Sequence, residues 1–260
     1  MALLRKELQD LRRNRSIVVA MAALPLVFVG LMIGLNIVIR RAASSLPATR
    51  DLLHGLPPMP EFASTNSQAL GAQVLINDQF MLFLLLVPVL LPTVIAAHSI
   101  VGEKQARTLE PLLASPIATW ELLAAKVAAA MLPSVSIGYL AYLAALVGVW
   151  LGGGAAAAHY LVRPLWSIGV PVIGPLFALG STLLSVIISS RVNDVRAAQG
   201  LAGLTALPLV GAGIAVLAAQ KVLGTGVLLA AIAIALPIDL LLMALASRAF
   251  RREAILTRWR

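Results

Sequence analysis

Cysteine is absent from the 260 residues, and charge is scarce: 12% of positions are Asp, Glu, Lys or Arg, against about 25% in soluble domains. The first absence excludes disulfides and thiolate metal sites. The second, with 60% hydrophobic residues and a mean hydropathy of +0.95, excludes a soluble globule. No polar segment is long enough to bury a core of its own, so there is no large soluble domain. A phosphate-binding loop is missing as well. Gly152-Gly153-Gly154 runs into alanines and Gly224-Thr225-Gly226 into valine and leucines, with no lysine and hydroxyl at the spacing that phosphates require. The chain therefore does not hydrolyse nucleotide by itself. No G-x-S-x-G frame surrounds Gly180-Ser181, and His54, His98 and His159 lie scattered at span ends or in loops, with no carboxylate at metal or triad spacing. Intramembrane catalysis has no residue set to carry it. The net charge of +9 does not point to nucleic acid, because the bases sit beside apolar runs, as they do at helix ends that face the cytoplasm.

What is present is a series of long apolar runs. A helix needs about 20 apolar residues to cross the hydrocarbon layer. Runs of that size fall at about 17–39, 78–100, 122–151, 164–190, 200–219 and 226–246. The expectation is an all-α, polytopic integral membrane protein with six transmembrane helices, forming one transmembrane domain over residues 1–260. Before the first run, Leu4, Leu8 and Leu11 share a helix face, with Arg5, Glu7, Asp10, Arg12 and Arg13 around the remainder. Residues 1–16 thus predict a basic amphipathic helix lying on the membrane surface. The acids within it and the length of the run that follows argue against a signal peptide. Residues 40–77, with Pro47, Pro57, Pro58 and Pro60, read as a polar extracytoplasmic loop, 152–163 as a Gly/Ala-rich turn, 191–199 as a polar turn and 220–225 as a connector.

Six spans put both termini on one side. Fifteen of the twenty bases then share that side: Arg5, Lys6, Arg12, Arg13, Arg15, Lys104, Arg107, Lys126, Arg191, Arg196, Arg248, Arg251, Arg252, Arg258 and Arg260. The opposite side keeps Arg40, Arg41, Arg50, Arg163 and Lys221. The basic side is cytoplasmic, which predicts a multi-pass protein of the cell's inner membrane with both termini inside.

The cytoplasmic stretch Gly102 to Lys126, GEKQARTLEPLLASPIATWELLAAK, holds three acids (Glu103, Glu110, Glu121) and three bases (Lys104, Arg107, Lys126). Ala106, Leu109 and Leu113 recur at helical steps, with Glu103, Arg107 and Glu110 opposite them. Glu103 stands four residues before Arg107, the favourable order for a helical ion pair. Pro111 removes a backbone donor and predicts a bend, and Ser115-Pro116 reads as the N-cap and first residue of the next helix. The stretch is a short amphipathic bend between two spans, with an apolar ridge to press on something.

Inside the spans, Ser181, Ser185 and Ser189 recur every four residues in line with Gly174 and Ala178, and Gly148 with Gly152 forms a second small-residue pair. Such stripes let helices approach closely. Asp239 lies deep in the last run, two residues after Pro237. An ionisable group there must face protein or water. Two readings stand: a proton, cation or substrate contact in a pathway, or a polar bundle contact at the proline kink.

The order G-E-K-x-x-x-T-L-E-P-L-L-A-S-P-I followed by E-L-L-A-A-K resembles the cytoplasmic loop between the second and third spans of type-2 ABC exporter permeases. KELQDLRRNR before the first span is similar to the N-terminal elbow helix of that family, RVNDVRAAQGLAGL with Pro208 to the start of its fifth span, and FRREAILTRWR to its tail. The resemblance implies that residues 102–118 form a coupling element that docks on a separate ATP-binding subunit. Carried over by position, Glu103, Lys104, Arg107, Thr108, Leu109, Glu110, Leu112 and Leu113 would face that subunit. Ser115 and Pro116 would set the turn back, and Glu121 and Lys126 would lie at the cytoplasmic mouth of the third helix. Two positions depart from the family pattern: Arg107 stands where a glycine often precedes the threonine, and Ala125 where a glycine often precedes the final lysine. The resemblance further implies no cofactor on this chain, Mg-ATP on the partner subunit, and a second permease copy or a paralogue completing a dimer in the lipid bilayer. The alternative from another class is a self-contained carrier or channel using Asp239, against which the lack of a detectable inverted repeat counts. A non-transporting scaffold has no residue that argues for it.

Overall fold

The computed structural model describes residues 2–13, 15–45, 68–106, 118–192, 194, 196–201, 203–204, 207–208, 211–212, 214–215 and 226–249. Within these, regular structure is helical throughout. That follows from the solvent: in lipid every backbone donor and acceptor must be satisfied inside its own segment. In chain order the elements are α1 (Ala2–Arg13), α2 (Arg15–Ser45), α3 (Gln68–Gln105), α4 (Thr119–Gly152), α5 (Ala155–Leu161), α6 (Pro164–Ile168), a π-turn (Gly169–Ile173), α7 (Gly174–Arg191) and α8 (Gly226–Ala249). Among the described residues five helices are long and apolar enough to cross a membrane: Met21–Arg41, Ala69–Gln105, Trp120–Gly152, Pro164–Arg191 and Gly226–Ala249. Half of the span expected at 200–219 falls outside the described residues. So do Met1, residues 107–117, 220–225 and the tail 250–260.

The helices run past the expected span ends, for identifiable reasons. Residues 68–77, expected in a polar loop, form the first turns of α3, because Leu70, Ala72 and Val74 are buried and Gln73 and Asn77 find polar partners in α2. Residues 40–45 likewise continue α2. The expected turn at 152–163 contains α5, since four consecutive alanines favour helix and Ala157, Ala158 and Leu161 pack beneath it. Gly154, at φ +100°, makes the reversal that only glycine adopts without strain. α4 begins at Thr119, and Ser115 and Pro116, read as a cap and first helical residue, lie outside the described residues. Ala118 is extended (φ −66°, ψ 141°), and its N–H is taken by the Glu121 carboxylate at 3.3 Å.

Two helices form the centre. α3 packs most extensively on α7, and 61% of each span is buried, against 22% for α2 and α4 and 11% for α8. At about 1.5 Å per residue α3 is some 57 Å long, well beyond a hydrocarbon layer of about 30 Å, so its ends project past the lipid core. The small-residue stripe of α7 lies in this central contact. Ser181, Ser185 and Ser189 are fully buried, and the Ser185 hydroxyl donates to the Thr93 carbonyl of α3 at 2.8 Å. The other small pair faces α2: Gly148 lies against Ile33, and a Cβ on Gly152 would come within 2.7 Å of Ile37. The remaining faces of α2, α4 and α8 expose leucine, isoleucine and valine, as lipid-facing surfaces do.

Candidate functional site

α1 is amphipathic, but its apolar face carries an acid. Glu7 is three residues from Leu4 and one from Leu8, so it lies among the leucines rather than on the solvated side where the sequence reading put it. Only 9% of Glu7 is exposed. It faces Lys126, which stands alone among apolar residues two turns into α4 and is 3% exposed. The Lys126 ammonium lies 3.0 Å from Glu7 Oε1 and 2.8 Å from Glu103 Oε2, and donates to Ser99 Oγ at 2.9 Å. Ser99 in turn donates to Glu7 Oε2 at 3.1 Å. One ammonium thus holds two carboxylates from different helices, a buried cluster whose partners satisfy each other.

Lys104, one residue after Glu103 and 8% exposed, turns the other way round α3. Its ammonium donates to the carbonyls of Ser189 (2.8 Å), Ser190 (2.6 Å) and Val192 (3.1 Å). These are the last carbonyls of α7, which have no partner within the helix and carry the negative end of its dipole. Glu103 and Lys104 together therefore bind the end of α3 to α1, α4 and α7. α3 closes at Ala106, whose N–H bonds the Gly102 carbonyl at 2.9 Å. The segment 107–117 leaves from this point and returns at Ala118, so it is mounted on the junction of four helices. Arg107, Thr108, Leu109, Glu110, Leu112, Leu113, Ser115 and Pro116 lie outside the described residues. Of the residues that the resemblance assigns to a docking surface, the structure describes Glu103 and Lys104, and both have contacts within the chain.

The opposite end of the bundle has polar ties of its own. Asn36 Nδ2 donates to Asn77 Oδ1 at 2.6 Å, and Gln73 Nε2 lies 3.3 Å from the Asn36 carbonyl and 3.2 Å from that of Gly153. Arg163 pairs with Asp78, which also accepts from Trp166 Nε1 at 2.9 Å, and Arg40 reaches the Gly152 carbonyl. Arg40, Arg163 and α5 thus share one end of the bundle, and Lys104, Lys126 and α1 the other. The sequence reading passed over Asn36 and Gln73. The signal was an amide in the apolar run GLNIVI and another where a loop was expected.

Between these ends, Pro88 of α3 sits against Gly138 of α4 and Gly174 of α7, and a groove lined by Leu84, Pro88, Tyr139, Tyr142, Val170 and Pro175 opens beside it. The Tyr139 hydroxyl donates to the Pro171 carbonyl in the π-turn at 2.9 Å, and Tyr142 to the Leu161 carbonyl at 2.8 Å. Asp239 is the other polar feature of the membrane interior. It is 5% exposed and packs against Gly180 of α7. Among the described residues, no three His, Asp or Glu side chains converge as a metal site would need.

The fold and these sites define a class: a multi-pass, all-helical membrane protein with an N-terminal amphipathic helix tied to the neighbouring ends of α3 and α4. The sequence matches the family model for ABC-2 family transporter proteins over residues 1–257, and the chain belongs to that family. It is a membrane subunit of the ABC transporter type. No individually curated protein matches it.

Proposed function

We propose that this chain is the permease of an ABC export complex, working as a dimer and driven by a separate ATP-binding subunit that docks on the bend at 107–117. The observation that carries this reading is the ion cluster at the root of the bend. A segment mounted on Lys126, Glu103 and Glu7 cannot be pushed without moving α1, α3 and α4, and Lys104 adds α7. Force applied there reaches the two buried central helices. The docking surface itself falls on Arg107, Thr108, Leu109, Glu110, Leu112 and Leu113, with Ser115 and Pro116 turning the chain back, while Glu103 and Lys104 hold the platform. Mg-ATP is bound and hydrolysed on the partner, and this chain supplies the pathway. The bend and both termini face the cytoplasm, in the inner membrane, as the distribution of bases requires.

The test is co-expression with the ABC ATPase of a neighbouring reading frame. The ATPase copurifies with the wild type and is lost from the double reversal Arg107→Glu/Glu110→Lys. Lys126→Met keeps the ATPase bound but uncouples hydrolysis from transport. Full binding and transport in the double reversal would overturn the docking surface. A carrier acting alone through Asp239 is the competing reading, favoured by that buried carboxyl. It requires ion-driven transport in proteoliposomes by this chain without an ATPase, abolished in Asp239→Asn.

A further inference from the structure

α8 is the most lipid-exposed of the five spans, and it turns just three of its 24 residues fully inward: Leu228, Asp239 and Ala246. That one of the three is an acid needs a physical account. The carboxyl of Asp239 is seated on Gly180 of α7, where any side chain would collide: a Cβ at Gly180 would lie 2.7 Å from Asp239 Oδ1. The other oxygen, Oδ2, is buried and has no hydrogen-bond partner among the described residues.

Among the described residues, the groups around it offer no counter-charge. The π-turn and α7 from Gly174 to Ser190 contain no charged residue, and Arg191 ends α7 three turns away from Gly180. α4 contributes one base, Lys126, which is held by Glu7 and Glu103, and one acid, Glu121, in its first turn. Its tyrosines, Tyr139 and Tyr142, donate to the Pro171 and Leu161 carbonyls. The hydroxyls of Ser181 and Thr182 next to Gly180 both donate to the Ala178 carbonyl. A carboxylate in this position would have neither a cation nor a free donor, and a bare charge away from water is the least favourable state open to it.

We propose that Asp239 is a proton-binding site, protonated while α8 is seated on Gly180 and releasing its proton only when α8 shifts far enough for water to reach it. The exchange is a simple one: the carboxyl O–H bond breaks, the proton passes to water, and the carboxylate left behind is solvated. Pro237 provides the freedom for that shift. It lacks the N–H that would bond the Ala233 carbonyl, so the backbone ladder of α8 is open two residues before Asp239. Seating and unseating of α8 and the loading of the proton are thus one linked equilibrium, whichever energy source moves the bundle.

The experiment uses the full chain in lipid nanodiscs. Dicyclohexylcarbodiimide, an apolar reagent, adds to protonated carboxyls in apolar surroundings, and the adduct is located by peptide mass spectrometry. Infrared spectroscopy reads the C=O band of a protonated carboxyl directly, without need of access. At neutral pH the wild type shows the adduct at Asp239, the band, or both, and Asp239→Asn removes whichever is seen. A water-soluble carbodiimide labels Asp239 at least tenfold less. Gly180→Ala unseats the carboxyl, weakens the band and raises water-soluble labelling. Absence of both adduct and band at neutral pH would overturn the proposal, as would equal labelling by the two reagents.

Discussion

Lys126 shows how much one side chain decides here. Its ammonium joins Glu7 to Glu103, so removing it takes a buried cation away from both carboxylates. Breaking a buried pair in this way costs about 3 kcal/mol or more, most of it from the charges left behind. Lys126→Met therefore lowers stability by that amount in reversible unfolding from mixed micelles, and adding Glu7→Gln and Glu103→Gln restores most of the loss. A partial or absent recovery would mean that Lys126 acts through packing of its stem instead. Asp239 is the reverse case, an acid with no cation among the described residues, seated instead against a glycine.

At the scale of the element, the close approach of α2 and α4 rests on Gly148 and Gly152, which admit Ile33 and Ile37 almost to the backbone. A Cβ built at Gly148 lies 3.7 Å from the Ile33 Cβ, within the usual separation across a disulfide. Because the chain has no cysteine, the double variant Ile33→Cys/Gly148→Cys carries the only two thiols. Mild oxidation closes an intramolecular disulfide in it, seen as altered mobility on a non-reducing gel, and neither single variant changes. Failure to close would place α2 and α4 in a different rotation. α1 illustrates the same dependence on packing. Its leucines alone suggest a helix resting on lipid, whereas Glu7 in their midst fits a helix pinned to the protein.

For the whole molecule the arrangement separates two polar ends. One gathers α1, the start of α4 and the ends of α3 and α7 around Lys104 and Lys126; the other gathers α5, Arg40 and Arg163. In the proposed orientation a single cysteine at Ala106 reacts with an impermeant maleimide only after cells are opened, while one at Ala156 reacts in intact cells. The opposite pattern would invert the molecule and remove the bend from any cytoplasmic motor. The two buried helices α3 and α7 lie between these ends, so a push at the inner end acts on the centre of the bundle and not on its rim.

Membrane residence and helicity were legible in the sequence because both depend on sums along the chain: twenty apolar residues in a row exclude water wherever they are placed. The expected turn at 152–163 failed because glycine at Gly154 was read as a loop signal, while the alanines after it could pack under α3. Partner choice was beyond local reading. Lys126 was read at the mouth of the third helix without a partner, and that Glu7 and Glu103 meet it there depends on the rotation of α1 and α3 about their axes. Asp239 could be seen to need a neighbour, but that the neighbour is a glycine follows from helices that meet only in the folded bundle. A polar side chain among apolar ones announces a requirement through its desolvation, and only tertiary packing settles which group meets it.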